Sequence, residues 1–142
     1  MSSRCFDVRR EPFEAVRLWL EAFCAQVKTS EQHVWQVQLV LEEFFVNSLT
    51  HGYPETKGAP GEWPAWITLT HDSTGVHITY EDAAVAFNPF ANIARPDYSG
   101  PVEDWRVGGL GLPMVEAMGR DLAYARVDGR NRLMLTLPAD AG

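Results

Sequence analysis

The sequence has little with which to staple itself, cross a membrane or grip nucleic acid. Only two of its 142 residues are cysteine, Cys5 and Cys24, too few for a disulfide framework and without the paired spacing of a zinc site. No apolar run approaches the ~18 residues that read as a membrane-spanning helix, and the opening MSSRCFDVRREPFEAVRLW holds no apolar signal core. A reduced, cytoplasmic setting without a membrane partner is the expectation. Basic residues are also scarce: 12 Lys and Arg against 19 Asp and Glu leave a net charge of −7. Binding to a phosphate backbone needs a clustered basic face, so no direct nucleic-acid binding is expected. A small anion is still admissible, because backbone N–H groups at a helix N-terminus hold phosphate without basic side chains.

What is present describes a folded domain. Apolar residues make up 46% and charged residues 22% of the chain, the balance of a soluble globular protein, and the length suits one domain over residues 1–142. RCFDVRR alternates weakly, as an opening strand does. Phe13, Val16, Leu20, Phe23 and Val27 then recur at helical spacing, with Pro12 suited to the first turn. TSEQ marks a second helix start, capped by Thr29 or Ser30, and this helix is expected to run to about His51 with Gly52 ending it. AWITLTHDSTGVHITYEDA reads as a β-hairpin turned at DSTG, and DLAYARVDGRNRLMLTL as a second one turned at DGRN. Between them lie NPFANIARPDYSGPVEDWRV, long and without periodicity, and a short helix opened by GGLGLPMVEAMG. Strand, two helices, hairpin, loop, helix, hairpin predicts an α+β two-layer sandwich: an antiparallel or mixed, mostly antiparallel sheet covered on one face by helices.

The second helix carries the chemistry. Gln36, Glu43, Asn47, Thr50 and His51 fall within an arc of roughly 100° on a helix otherwise greasy round its circumference. Such a line faces either a strip of bulk water or a pocket. Asn47 favours the pocket, since a mid-helix asparagine is a poor helix former. A carboxamide oxygen can ligate Mg²⁺, and a carboxylate one turn away can accept a proton from an attacking hydroxyl. His51 could touch a ligand, but an imidazole at a helix C-terminus more often interacts with the free carbonyls there. Gly108, Gly109 and Gly111 precede an amphipathic helix, which lets a backbone approach an oxyanion. The turn is neither a Walker loop nor a dinucleotide fingerprint, and glycine turns before helices are common.

Four segments in order carry a resemblance. EEFFVNSLTHGY resembles the N-box of the GHKL (histidine-kinase-like) ATPases in the version found in bacterial anti-sigma-factor serine/threonine kinases. DAAVAFNP resembles that family's adenine-binding segment, RVGGLGLPMV its second glycine box and DGRNRLMLTL its closing hairpin. The resemblance spans Phe6 to Leu137. It implies ATP and Mg²⁺ as cofactors, Asn47 as the Mg²⁺ ligand, Glu43 as the catalytic base and Asp82 as the adenine-recognising carboxylate. It further implies a phosphate-side backbone from Gly109, Leu110 and Gly111, a lid from Phe90 to Val107, and Arg106 within reach of the terminal phosphate. Ala84 departs from the pattern: it stands in the adenine-binding segment where the family has glycine. If that position needs a positive φ or a close approach to adenine, alanine strains or crowds it.

The resemblance implies an anti-sigma regulatory factor that phosphorylates an anti-sigma-factor antagonist protein and holds a sigma factor when unphosphorylated antagonist is lacking. A homodimer is compatible with it. The alternative is a non-catalytic partner-switching module with weak or absent nucleotide binding. Glu43 and Asn47 favour the enzyme, and Ala84 favours the module.

Overall fold

A computed structural model describes residues 1–59, 61–91, 93 and 111–139. β1 (Ser2–Asp7) leads into two helices, α1 (Phe13–Val27) and α2 (Glu31–Asn47). The first hairpin is β2 (Pro64–Asp72) and β3 (Gly75–Asp82), followed by α3 (Gly111–Met118) and the second hairpin, β4 (Arg120–Val127) and β5 (Arg130–Pro138). The five strands form one sheet in the order β1-β2-β3-β5-β4. Every pairing is antiparallel, so among the described residues the sheet is antiparallel throughout and the parallel component that a mixed sheet allows is not used.

Alternation decides which sheet face is buried. Ala65, Ile67 and Leu69 on β2, Val76, Ile78 and Tyr80 on β3, and Leu133, Leu135 and Leu137 on β5 all point into the core. The register sets Ile78 opposite Leu135 and Tyr80 opposite Leu133, which builds a continuous apolar floor. Val16, Leu20, Phe23 and Cys24 of α1 bury one stripe at i, i+4, i+7 and i+8, and Val37, Val40, Leu41, Phe44 and Phe45 do the same on α2. Together they form the single cluster that joins helices to sheet.

Local signals account for most boundaries. Ser30 caps α2, its Oγ accepting from the His33 N–H at 3.2 Å. Pro12 stands just outside α1 rather than in its first turn, with extended ψ of 157°. Asp128 and Gly129, at φ 51° and 78°, form the two-residue turn of the second hairpin, matching the strand twist. Arg130 and Asn131, expected in that turn, already belong to β5.

One boundary differs in kind. α2 does not run regularly to His51: it widens after Asn47 into a π-type turn over Ser48–Gly52, closed by the Tyr53 N–H on the Ser48 carbonyl. A short tight turn over Tyr53–Glu55 follows. Gly52 does not stop the helix in a left-handed conformation, because its φ of −64° is right-handed. Space explains the glycine instead: a Cβ there would stand 3.0 Å from the Ala84 Cβ. Widening of this kind re-aims the side chains around it.

Candidate functional site

At the end of the sheet where β3 finishes and β5 begins, a cavity of about 500 Å³ opens between α2 and the segment after β3. One wall is the end of α2 and its π-type turn, through Asn47, Ser48, His51 and Gly52. Val85, Ala86 and Phe87 form the opposite wall, and Tyr80, Asp82, Asn131 and Leu133 the floor.

The floor is where the two apolar rows of the sheet turn polar. Asp82 and Asn131 face each other in register, continuing the inward rows of β3 and β5, and both are buried. Each oxygen of the Asp82 carboxylate is held. Oδ2 accepts from Ser48 Oγ at 2.7 Å, while Oδ1 accepts from Asn131 Nδ2 at 2.8 Å and from the Ala84 N–H at 3.2 Å. Ser48 has one hydroxyl hydrogen and it is committed to the carboxylate. The 2.7 Å contact between Tyr80 and Ser48 is therefore donated by the Tyr80 hydroxyl, which burial also pushes away from ionisation. The relay runs Tyr80 to Ser48 to Asp82. Asn131 completes the frame: its Oδ1 accepts from the Tyr124 hydroxyl at 2.7 Å and from the Phe87 N–H at 3.1 Å, and its Nδ2 reaches the Val85 carbonyl at 2.9 Å. One carboxamide thus ties three strands to the loop above the cavity.

The polar line of α2 divides. Asn47 and His51 line the cavity. Thr50 is exposed and its hydroxyl donates back to the Val46 carbonyl at 2.7 Å. Glu43 lies one turn before Asn47, half-buried, and is not among the described residues of the cavity lining. Its carboxylate rests against Gly111, where a Cβ would come within 1.9 Å of Oε2. Burial, helped by neighbouring Glu42, holds the Glu43 carboxyl above the usual carboxylate range. Gly111 itself is buried as the first residue of α3.

Ala84 neither strains nor crowds the site. Its φ is not positive, and the cavity is lined by its neighbours Val85 and Ala86 rather than by Ala84. The methyl is buried and packs toward Gly52. Its backbone does the positioning, with the carbonyl accepting from Arg126 Nη1 at 2.7 Å. Arg106, Gly109 and Leu110 lie outside the described residues, as does the expected lid from Phe90 to Val107 apart from Phe90, Ala91 and Ile93.

Residues 6–137 match the histidine kinase-like ATPase domain. The chain belongs to that family. It is also 27% identical over 118 residues to the serine/threonine-protein kinase BtrW of Bordetella bronchiseptica, a match covering 83% of this chain and 80% of that protein. As a histidine kinase-like ATPase domain it is expected to hold a nucleotide, and the cavity fits one. A buried, doubly held carboxylate offers an acceptor to an amine, and the apolar surfaces of Phe44, Val85, Phe87 and Leu133 suit the faces of a planar base. The described lining contains Asp82 and Glu55 but no Lys or Arg, so an anionic ligand enters with a cation or is met by residues beyond those described.

Ser48 and Asn131 were not singled out by reading the sequence, although both leave a signal there. Ser48 stands four residues after Phe44 and seven after Leu41, on the buried stripe of α2 where a serine needs partners. Asn131 shares the parity of Leu133, Leu135 and Leu137, which already places it on the core face. Reading DGRN as one turn hides that parity.

Proposed function

We propose that the chain is an ATP-binding anti-sigma regulatory factor with serine/threonine kinase activity towards an anti-sigma-factor antagonist protein. The observation that carries the reading is the Asp82 carboxylate, buried at the cavity floor and fixed on one side by Ser48 and on the other by Asn131. An immobilised acceptor of this kind selects adenine, whose exocyclic amine donates, over guanine, whose corresponding group is a carbonyl oxygen. Asn47 supplies an amide oxygen suited to Mg²⁺, which takes few protein ligands and keeps several waters. The acidic lining is consistent with that cation. Bound ATP supplies the phosphoryl group. In the same reading Glu43 accepts the proton of the acceptor hydroxyl, and Arg106, Gly109, Leu110 and Gly111 serve the phosphate side.

The partners follow from the same resemblance. The antagonist is the phosphorylated substrate, a sigma factor is held in its absence, and a homodimer and a cytoplasmic setting are part of the reading. No described helix is long and apolar enough to cross a membrane. Ala84, the one sequence feature that favours a module without nucleotide, has no positive φ and packs its methyl near Gly52.

Equilibrium binding of ATP and GTP, each with Mg²⁺ and with a chelator, tests the reading in wild type and Asp82→Asn. The expected result is Mg²⁺-assisted binding of ATP, at least ~10²-fold weaker binding of GTP, and loss of that preference in Asp82→Asn. Equal affinity for the two nucleotides, or none for either, overturns it.

A further inference from the structure

Glu43 and Gly111 meet across the contact between α2 and α3, and the meeting is unusually close. A Cβ placed on Gly111 would lie 1.9 Å from Glu43 Oε2, 2.3 Å from its Cδ and 2.9 Å from its Oε1. The carboxylate therefore covers the α-carbon of Gly111, and a side chain at position 111 requires the Glu43 carboxylate to move aside. Backbone conformation gives no other reason for the glycine, since its φ lies outside the left-handed range. Helix propensity argues against it: Gly111 opens α3, where alanine is the better residue. What a side chain at position 111 would meet first is the Glu43 carboxylate.

The same contact confines Glu43. Its carboxylate lies against the first residue of α3. Without that surface three rotatable side-chain bonds are left to set where the carboxylate points. A proton acceptor acts only from within hydrogen-bond reach of its hydroxyl, so confinement matters for rate.

We propose that Gly111 is a positioning residue for Glu43: its missing side chain leaves the notch that seats the carboxylate, and α3 thereby sets the aim of the base. The proposal rests on the reading of Glu43 as proton acceptor, and it gives Gly111 a task separate from phosphate approach.

Wild type, Gly111→Ala, Glu43→Ala and the double variant form a cycle, read in melting temperature, Mg·ATP affinity and single-turnover phosphorylation of the antagonist. Gly111→Ala should slow single-turnover transfer at saturating Mg·ATP by about 10²-fold; any change in Mg·ATP affinity reports the phosphate-side task of Gly111 and is read separately. The substitution should also lower the melting temperature. In the Glu43→Ala background the sign reverses: alanine at 111 then leaves the melting temperature unchanged or raises it, as propensity dictates, and costs no further rate. Gly111→Ala combined with Glu43→Asp, whose carboxylate is one methylene shorter, should recover part of the lost rate. Equal loss of melting temperature in both backgrounds overturns the proposal, as does an unchanged rate in Gly111→Ala or a double variant that fails to fold. If wild type transfers no phosphate, the kinase reading falls, and the reversal in melting temperature alone decides whether the notch seats Glu43.

Discussion

Ser48 Oγ donates to Asp82 Oδ2 at 2.7 Å, joining the π-type turn after α2 to the last residue of β3. The bond is buried, and Tyr80 donates to the same serine oxygen from the other side. Ser48→Ala removes from both groups the partner that they share. It should cost about 1–3 kcal/mol of stability. ATP should bind roughly tenfold more weakly, equivalent to about 1.4 kcal/mol, because Asp82 loses one of its two side-chain restraints. Chemical denaturation and nucleotide titration of the variant check both numbers; an unchanged ATP affinity would show that Asn131 alone orients the carboxylate.

Gly52 and Ala84 are a matched pair. A Cβ on Gly52 would stand 3.0 Å from the Ala84 Cβ, tighter than most packed methyls, so one of the two backbones has to give way. Gly52→Ala should therefore destabilise by about 1–3 kcal/mol through overpacking, and Ala84→Gly in the same chain should recover most of that loss. Ala84→Gly alone should leave ATP affinity within about threefold of wild type, under ~0.7 kcal/mol, since its methyl does not face the cavity. Urea unfolding of the three variants provides the test, and absence of recovery in the double variant would refute the pairing.

Asn47 lines the cavity from α2 without taking part in the core cluster. Asn47→Ala should leave the fold intact and raise the melting temperature slightly, alanine being the better helix former by up to about 0.7 kcal/mol. Mg²⁺-dependent enhancement of ATP binding should disappear. A folded Asn47→Ala variant that keeps the enhancement would remove Asn47 as the metal ligand.

Glu43→Gln separates rate from binding and has a defined pH signature. Loss of a base should slow phosphoryl transfer by about 10²–10⁴-fold, with ATP affinity unchanged or improved as a negative charge leaves the site. In the fold the carboxyl is raised above its ordinary value, first by burial and then by Glu42. Its contribution to stability is thus fully present below the unfolded pKa and lost as pH rises through the folded one. At neutral pH Glu43→Gln should accordingly have the higher melting temperature, and the difference should fade as pH falls below about 4. Melting curves across that range check the sign; a Glu43→Gln variant that is less stable at pH 7 and equal at pH 4 would reverse it.

Much of this molecule is decided locally. Val16, Leu20 and Phe23 make α1 amphipathic by spacing alone, Ser30 caps α2 by its own hydroxyl, and Asp128-Gly129 closes the last hairpin by its tolerance of positive φ. Those elements and their order needed no tertiary contact to be read, and neither did the choice of Asn47 and Asp82, which the fold brings to one cavity. The remainder depends on distances between segments remote in the chain. That Gly52 serves packing rather than helix termination depends on Ala84, 32 positions away. That Ala84 does not obstruct the cavity depends on which way its methyl turns. Asn131 meets Asp82 only because β3 and β5 pair in one register, and a slip of one residue would send both to the opposite face. Glu43 meets Gly111 only because α3 packs on α2. Sequence periodicity states which face a residue is on; what stands opposite it is set when the sheet and helices close, and that closure made the site.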